Sequence, residues 1–420
     1  MRKTIALLLC AAMMLCLVPA ALAEDTVITV VAWDVATTPY YAAYKDAFEA
    51  ANPGVKVEYI DIAAQDYDQN KAGIMLAGGD KSDVFFIKQL DDATKWYSQG
   101  YLASLNDYVA ADSVDLSAYA GMADCYVASD GQQVALPFRA DYWVLFYNKD
   151  LFDAAGVAHP ANDMTWDEYK DLAIQLTSGA EGVDKIYGAH YHTWLSDAVN
   201  WAVCDGVNTL ADGEYSDLAY FYQLALDLED AGAVRAYTDL KASGLHYRGA
   251  FAAGDIAMLL MGYWELGNLV TDTADGTMSF DYGFVSVPHA EGVPAGSSFG
   301  SPTGMSLNQA SENKDAAWKF ISFVTGEEGA KALIPTGNRP AYINESVAEI
   351  MASVDGFPTD EASKAALLPT AVYLEWPVGD NVPAIKTIVN EEHTLIMTRE
   401  VSVEDGIASM NERVAEVLAD

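Results

Sequence analysis

From residue 27 onward, strand-type and helix-type patterns alternate along the chain, and few folds accommodate that order. Residues 27–33 (VITVVAW) form a β-branched run of the kind buried on both faces in a parallel sheet. Thr38 and Pro39 supply an N-cap and a first-turn proline. Tyr41, Tyr44, Ala47, Phe48 and Ala51 follow at helical spacing until Asn52, Pro53 and Gly54 stop the helix. Residues 55–60 read as a second strand, 67–77 as a second helix closed by Gly78 and Gly79, and 84–87 as a third strand. Linked βαβ units of this kind place parallel strands between covering helices, so an α/β fold is expected. Further on, Thr165 caps a helix with Tyr169, Leu172, Ala173 and Leu176 on one face. Tyr220, Phe221, Leu224, Leu228 and Ala231 make another apolar face before Gly232. Residues 143–147, 257–261 and 282–287 are strand-like, while 316–324 and 401–418 are helical. The Pro- and Gly-rich stretch 288–304 is the expected crossing between domains.

The start of the chain fixes a compartment. Arg2 and Lys3 precede an uncharged apolar run over residues 5–18, and Ala21, Leu22 and Ala23 offer a cleavable small-residue site. That is the anatomy of a secretory signal peptide, residues 1–23. The run is short for a membrane span, and Cys10 and Cys16 each follow Leu, which does not suit lipid anchoring. The mature protein is expected to begin near Glu24 and to work outside the cytoplasm, in a periplasm, at a cell surface or free. Without Arg2 and Lys3, 21 basic residues face 61 acids, a net charge of −40. Such a chain repels nucleic acid and anionic lipid, so neither is an expected partner. Cys125 and Cys204 remain after cleavage; an oxidising compartment permits a bridge, but they read better as unpaired.

Four segments carry a family resemblance: ALPFRADYWVLFYNKDLFDAAG at residues 135–156, FAAGDIAMLLMGYWE at 251–265, YGFVSVP at 282–288 and NKDAAWKFISF at 313–323. In order and spacing the chain resembles the extracellular solute-binding proteins of ABC importers, in particular the carbohydrate-binding family that includes the maltose-binding protein. The resemblance implies a two-lobed periplasmic-binding-protein-like fold, with a ligand cleft between lobes and a hinge crossed more than once. Crossings are expected near residues 139–141, 300–304 and 335–340. The N-terminal lobe would combine residues 24–139 with 303–336, and the other lobe 140–302 with 337–420. It also implies a monomer that delivers a small-molecule carbohydrate to membrane permease subunits, with no cofactor and no metal.

Sugars present apolar C–H faces and hydroxyl rims, so a site for them needs aromatic plates and fixed polar groups. Near the expected cleft lie Trp33 and Asp34 after the first strand, Tyr142 and Trp143 at the hinge, Trp194, Tyr263, Trp264, Glu265 and Trp376. Trp264 matches an aromatic position of the family that faces ligand, and Asp141 a carboxylate at the lobe junction. Arg139 and Arg339 are rare cations here; each suits either a bidentate contact with ligand or a brace across the hinge. Lys88 and Gln89 follow the third strand at its C-terminal end, where open α/β sheets place their ligands. Trp166 and Trp318 sit on amphipathic helices and are assigned to the core.

Enzyme motifs find little support. Gly296, Ser298 and Gly300 match Gly-x-Ser-x-Gly, but Pro302 and Gly304 stand where a nucleophile elbow needs a helix. His190 and His192 alternate as strand neighbours without a convincing third metal ligand. The alternatives are a secreted carbohydrate-active hydrolase, or a binder of polyamines or peptides.

Overall fold

The computed structural model describes residues 25–419 apart from Ala120, Glu181, Val183 and Asp380, and omits the side chains of Gln65 and Asp68. The leader read over residues 1–23 lies outside the described residues. The chain forms a two-lobed α/β fold around eight strands: β1 (Thr26–Trp33), β2 (Val55–Ile62), β3 (Val84–Ile87), β4 (Leu136–Asn148), β5 (Met258–Gly262), β6 (Tyr282–Ser286), β7 (Ser297–Leu307) and β8 (Ala371–Leu374). β1 lies parallel to β2 and β3, as the alternating pattern requires. β3 continues into antiparallel β7, and β7 into antiparallel β4, which holds β5 and β6.

Two strands therefore run through the whole molecule. β4 pairs with β7 from Leu136 to Tyr142, then with β5 and β6 from Trp143 onward. Its near-unbroken apolar sequence fits a strand covered on both faces. The hydrophobic core divides along it. One cluster gathers Ile28, Tyr44, Phe86, Trp96 and Phe138 with Met305, Trp318 and Leu333. The other gathers Tyr142, Trp143, Trp166, Trp201, Phe251 and Phe284 with Phe299, Trp376, Val389 and Val414. Ala140, between them on β4, packs with Tyr119, Met122, Ala123 and Ala341 in a third, small cluster.

Two local readings need refining. The helix expected over residues 67–77 is two, Ala64–Asp68 and Lys71–Ala77, because Asn70 adopts a left-handed conformation between them. The stretch 288–304 is not a loop throughout, since β7 begins at Ser297 and runs across the hinge. Its glycines permit this. A Cβ on Gly300 would lie 1.9 Å from the Asp141 carbonyl oxygen, and one on Gly304 would lie 2.7 Å from the Tyr126 ring. Ser298 is thus a buried strand residue whose hydroxyl donates to the Trp143 carbonyl at 2.8 Å, and no nucleophile elbow forms. The helices with the clearest patterns lie as expected: Pro39–Ala51, Trp166–Leu176 with its Thr165–Glu168 capping box, Leu218–Asp230, Lys314–Thr325 and Val403–Ala419. Trp166 and Trp318 are buried. Cys125 and Cys204 are both free thiols. Among the described residues no helix is long and apolar enough to cross a membrane.

Candidate functional site

Two adjoining cavities open beside the second core cluster, and one of them also reaches residues on the side of the first cluster. The first cavity, about 500 Å³, has four indoles in its lining: Trp143, Trp194, Trp264 and Trp376. Trp264 follows β5 at the start of the helix Glu265–Asp275, so the end of a buried strand fixes its position. Its ring meets Trp143 edge-on at 5.5 Å, and its Nε1 donates to the Tyr247 hydroxyl at 3.1 Å. Gly262 makes room for this ring, because a Cβ there would stand 2.0 Å from it. Trp194 packs edge-on against His192 at 4.6 Å yet leaves 40% of its surface exposed. An indole held on two sides and bare on the third is a plate awaiting an apolar face.

Polar groups surround the indoles. Ser196, Asn200, Tyr237, Glu375, Asn390, His393 and Thr394 line the same cavity. Tyr237 Oη, Asn200 Oδ1 and both ring nitrogens of His393 are buried and have no hydrogen-bond partner among the described residues. Buried polar atoms left open at a cavity wall mark where a bound molecule completes them. Burial, then the nearby Lys241 ammonium, holds the His393 imidazole down to about 3, so the ring is neutral at pH 7. It offers one donor and one acceptor. Burial also raises the Glu375 carboxyl, with Lys386 and then Ser196 pulling it back.

The second cavity, about 480 Å³, shares Glu375, Trp376 and Lys386 with the first and reaches Asn70, Lys88, Gln89, Leu90, Ser301 and Pro302. It is built from both sides of the hinge. Lys88 donates to the Ala64 carbonyl at 3.3 Å and stands 5.7 Å over the Trp33 ring.

The structure thus brings Trp194, Trp264 and Trp376 into one cavity, and Lys88, Gln89 and Trp376 into its neighbour. Trp143, also singled out, lines the first cavity, and the remaining residues line neither of the two. Trp33 is wedged edge-on against Tyr41, Tyr67 and Phe86. Asp34, at φ +48°, accepts from the Ala64 amide at 2.9 Å and shapes the turn after β1. Tyr142 and Tyr263 stack on each other at 5.6 Å, and Tyr142 Oη donates to the Ala366 carbonyl at 2.7 Å. Arg139 pairs with Asp141 at 3.2 Å and donates to Asn338, while Arg339 donates to the Ala140 carbonyl at 2.9 Å and lies 4.6 Å over the Tyr142 ring. These contacts tie β4 to the segment after residue 337. Glu265 is fully buried, accepts from Asn268 at 2.6 Å, and is raised by burial to about 7.

Sequence reasoning missed the wall formed by the helix Val382–Met397. Lys386, Asn390, His393 and Thr394 recur at one-turn spacing on it and share the first cavity. Tyr237 and Lys241, four residues apart on the helix Tyr237–Ser243, repeat the device. A polar stripe on an otherwise apolar helix was the available signal.

Among the described residues no group of three or more His, Cys, Asp or Glu side chains is placed to hold a metal ion.

Several known proteins resemble this chain. A sugar transporter of Rhizobium etli, in an open conformation, is 40% identical, with a TM-score of 0.87 over 93% of this chain and 99% of that one. An ABC substrate-binding protein of Listeria monocytogenes in complex with cycloalternan shares the fold at 23% identity and a TM-score of 0.76, over 94% of this chain and 100% of that one. The mannitol-binding protein of Pseudomonas aeruginosa is 23% identical over 327 residues, 71% of this chain and 70% of that protein. The sequence profile described as bacterial extracellular solute-binding protein matches residues 34–331. The chain belongs to that family, the bacterial extracellular solute-binding proteins.

Proposed function

We propose that this protein is the substrate-binding component of an ABC importer, and that it captures a sugar or oligosaccharide and delivers it to membrane permease subunits. One observation carries the reading: a single cavity presents four indoles beside buried, unpartnered polar atoms. C–H faces of a sugar lie against Trp194, Trp264 and Trp376, and its hydroxyls complete Asn200, Tyr237, Glu375, Asn390 and His393. Lys88 and Gln89 approach from the other lobe across the shared cavity. The division into residues 24–139 with 303–336 and residues 140–302 with 337–420 is supported by the two core clusters, which separate along β4. Arg139, Asp141 and Arg339 then act as hinge braces, and Trp33, Asp34, Tyr142, Tyr263 and Glu265 as the packing behind the cleft walls. Closure follows from the ligand's greater affinity for the closed arrangement. The protein works as a monomer outside the cytoplasm after loss of residues 1–23, and binds without chemical turnover.

A thermal-shift panel of neutral and acidic sugars, polyamines and peptides tests the reading, followed by calorimetry and product analysis on the hits. A sugar at a hundredfold excess over its Kd stabilises the folded form by about 2.7 kcal/mol. Stabilisation by peptides or polyamines alone, or repeated cleavage of an oligosaccharide, overturns it.

A further inference from the structure

The charge around the first cavity runs against that of the chain. The protein carries a net charge of −38, yet this cavity is lined by two ammonium groups, Lys241 and Lys386, and one carboxyl group, Glu375. Lysines elsewhere are mostly neutralised: Lys45, Lys56, Lys71, Lys81, Lys149, Lys170, Lys331 and Lys364 each form an ion pair. Lys241 and Lys386 form none within 4 Å among the described residues. Each instead stands over a ring of the cavity wall, at 5.7 Å from Tyr237 and 5.5 Å from Trp376.

Glu375, close enough to Lys386 to interact with it, is the one carboxyl group in the lining, so the two lysines leave the cavity a surplus of positive charge. His393 and His192 are held uncharged by burial and by neighbouring positive charge. Burial pushes Glu375, and behind the indoles Asp197 and Glu265, toward their neutral forms. A neutral sugar gains nothing from two cations that amides could not supply at lower desolvation cost. In so acidic a protein, a cationic rim at one cavity selects for negative charge and attracts it locally within the Debye length, about 8 Å at physiological salt.

We infer that the ligand is an anionic sugar, one carrying a carboxylate such as a uronic acid ring, seated with that group between Lys241 and Lys386 and its pyranose faces on the indoles. This rests on the sugar-binding reading above and narrows it. The carboxylate is favoured over a phosphate because the surrounding field of the chain opposes a second negative charge.

Calorimetry with disaccharides bearing one glucuronate or galacturonate ring, their neutral counterparts and the matching sugar phosphates tests the inference. An acidic disaccharide should bind at least about tenfold more tightly than its neutral counterpart, with an affinity that falls as salt rises. Lys241→Gln and Lys386→Gln, both exposed side chains, should keep the melting temperature and each lose about fivefold more affinity for the acid than for the neutral sugar. Equal affinity for acid and neutral sugar, or indifference of both variants, overturns the inference and leaves the importer reading standing. Tighter binding of the sugar phosphates overturns the carboxylate assignment. Binding of a polyamine or peptide with no sugar bound at all overturns both readings.

Discussion

Trp264→Ala separates a binding plate from a core residue. The Trp264 side chain is only partly buried, meets Trp143 edge-on at 5.5 Å and makes one hydrogen bond, to Tyr247. Losing an edge contact and a neutral hydrogen bond costs about 1–2 kcal/mol of folding stability. The cost to binding is larger. An indole buries roughly 200 Å² in all, and a sugar ring covering half of it removes about 100 Å² of apolar surface from water, worth about 2.5 kcal/mol, or roughly 70-fold in Kd. Calorimetry with the cognate sugar reads the second quantity, and urea unfolding of the free protein the first. Trp264→Phe, which keeps part of the plate but no donor, should fall between wild type and Ala. An affinity for Trp264→Ala within threefold of wild type would refute the assignment. So would a stability loss above about 4 kcal/mol, since that is the signature of a core aromatic.

Trp318→Ala should behave in the opposite sense, costing about 3–5 kcal/mol in urea unfolding, because the ring stacks on Tyr108 at 5.3 Å and donates to Asp112 at 2.6 Å within the first cluster; a neutral effect removes it from the core. Arg139→Met strands the Asp141 carboxylate, 8% exposed, and should cost about 3 kcal/mol, less if Arg339 takes over the pairing; an unchanged urea midpoint counts against a hinge brace. Glu265, raised by burial from 4.5 to about 7, binds its proton more tightly folded than unfolded, so its contribution is present below pH 4.5 and is lost as pH rises toward 7. Glu265→Gln should remove that fall, up to about 3 kcal/mol. The difference between variant and wild type, measured by urea unfolding across pH 4–8, isolates it from the opposite slope of the buried histidines, and a flat difference defeats the assignment.

The strands and helices were readable because their patterns are dictated by covering layers. Residues 27–33 are β-branched since β1 is flanked by β2 and β3 and buried under helices. The resemblance implied crossings near residues 139–141 and 300–304, but the local pattern did not show that continuous strands, β4 and β7, make them. Gly300, Pro302 and Gly304 look like punctuation in the sequence, whereas in the fold Gly300 and Gly304 let the Asp141 backbone and the Tyr126 ring approach the strand. A glycine reports that space is needed and not whether a turn or a neighbour needs it.

The candidate site divides by the same logic. Trp194, Trp264 and Trp376 were legible as large aromatic plates near the expected cleft, and all three line the first cavity. The charged residues were not, because charge is read in sequence without its partner. Arg139, Asp141 and Arg339 look like ligand contacts in the sequence, whereas in the fold their partners are internal, the pairing at 3.2 Å and the Tyr142 ring beneath Arg339, with Asp141 Oδ1 and Arg339 Nε left unpartnered among the described residues. Lys241 and Lys386 look like two more solvated lysines until the wall they stand on is known. The helix Val382–Met397 shows why: Ile385, Val389, His393, Ile396 and Met397 bury one stripe, and Lys386, Asn390 and Thr394 run along its edge. Whether that edge meets water or a cavity is decided by Trp143, Trp194 and Trp264, which lie more than 100 residues away along the chain. A single helix can specify its own inner face, but the chemistry of its outer face is set by what folds opposite it.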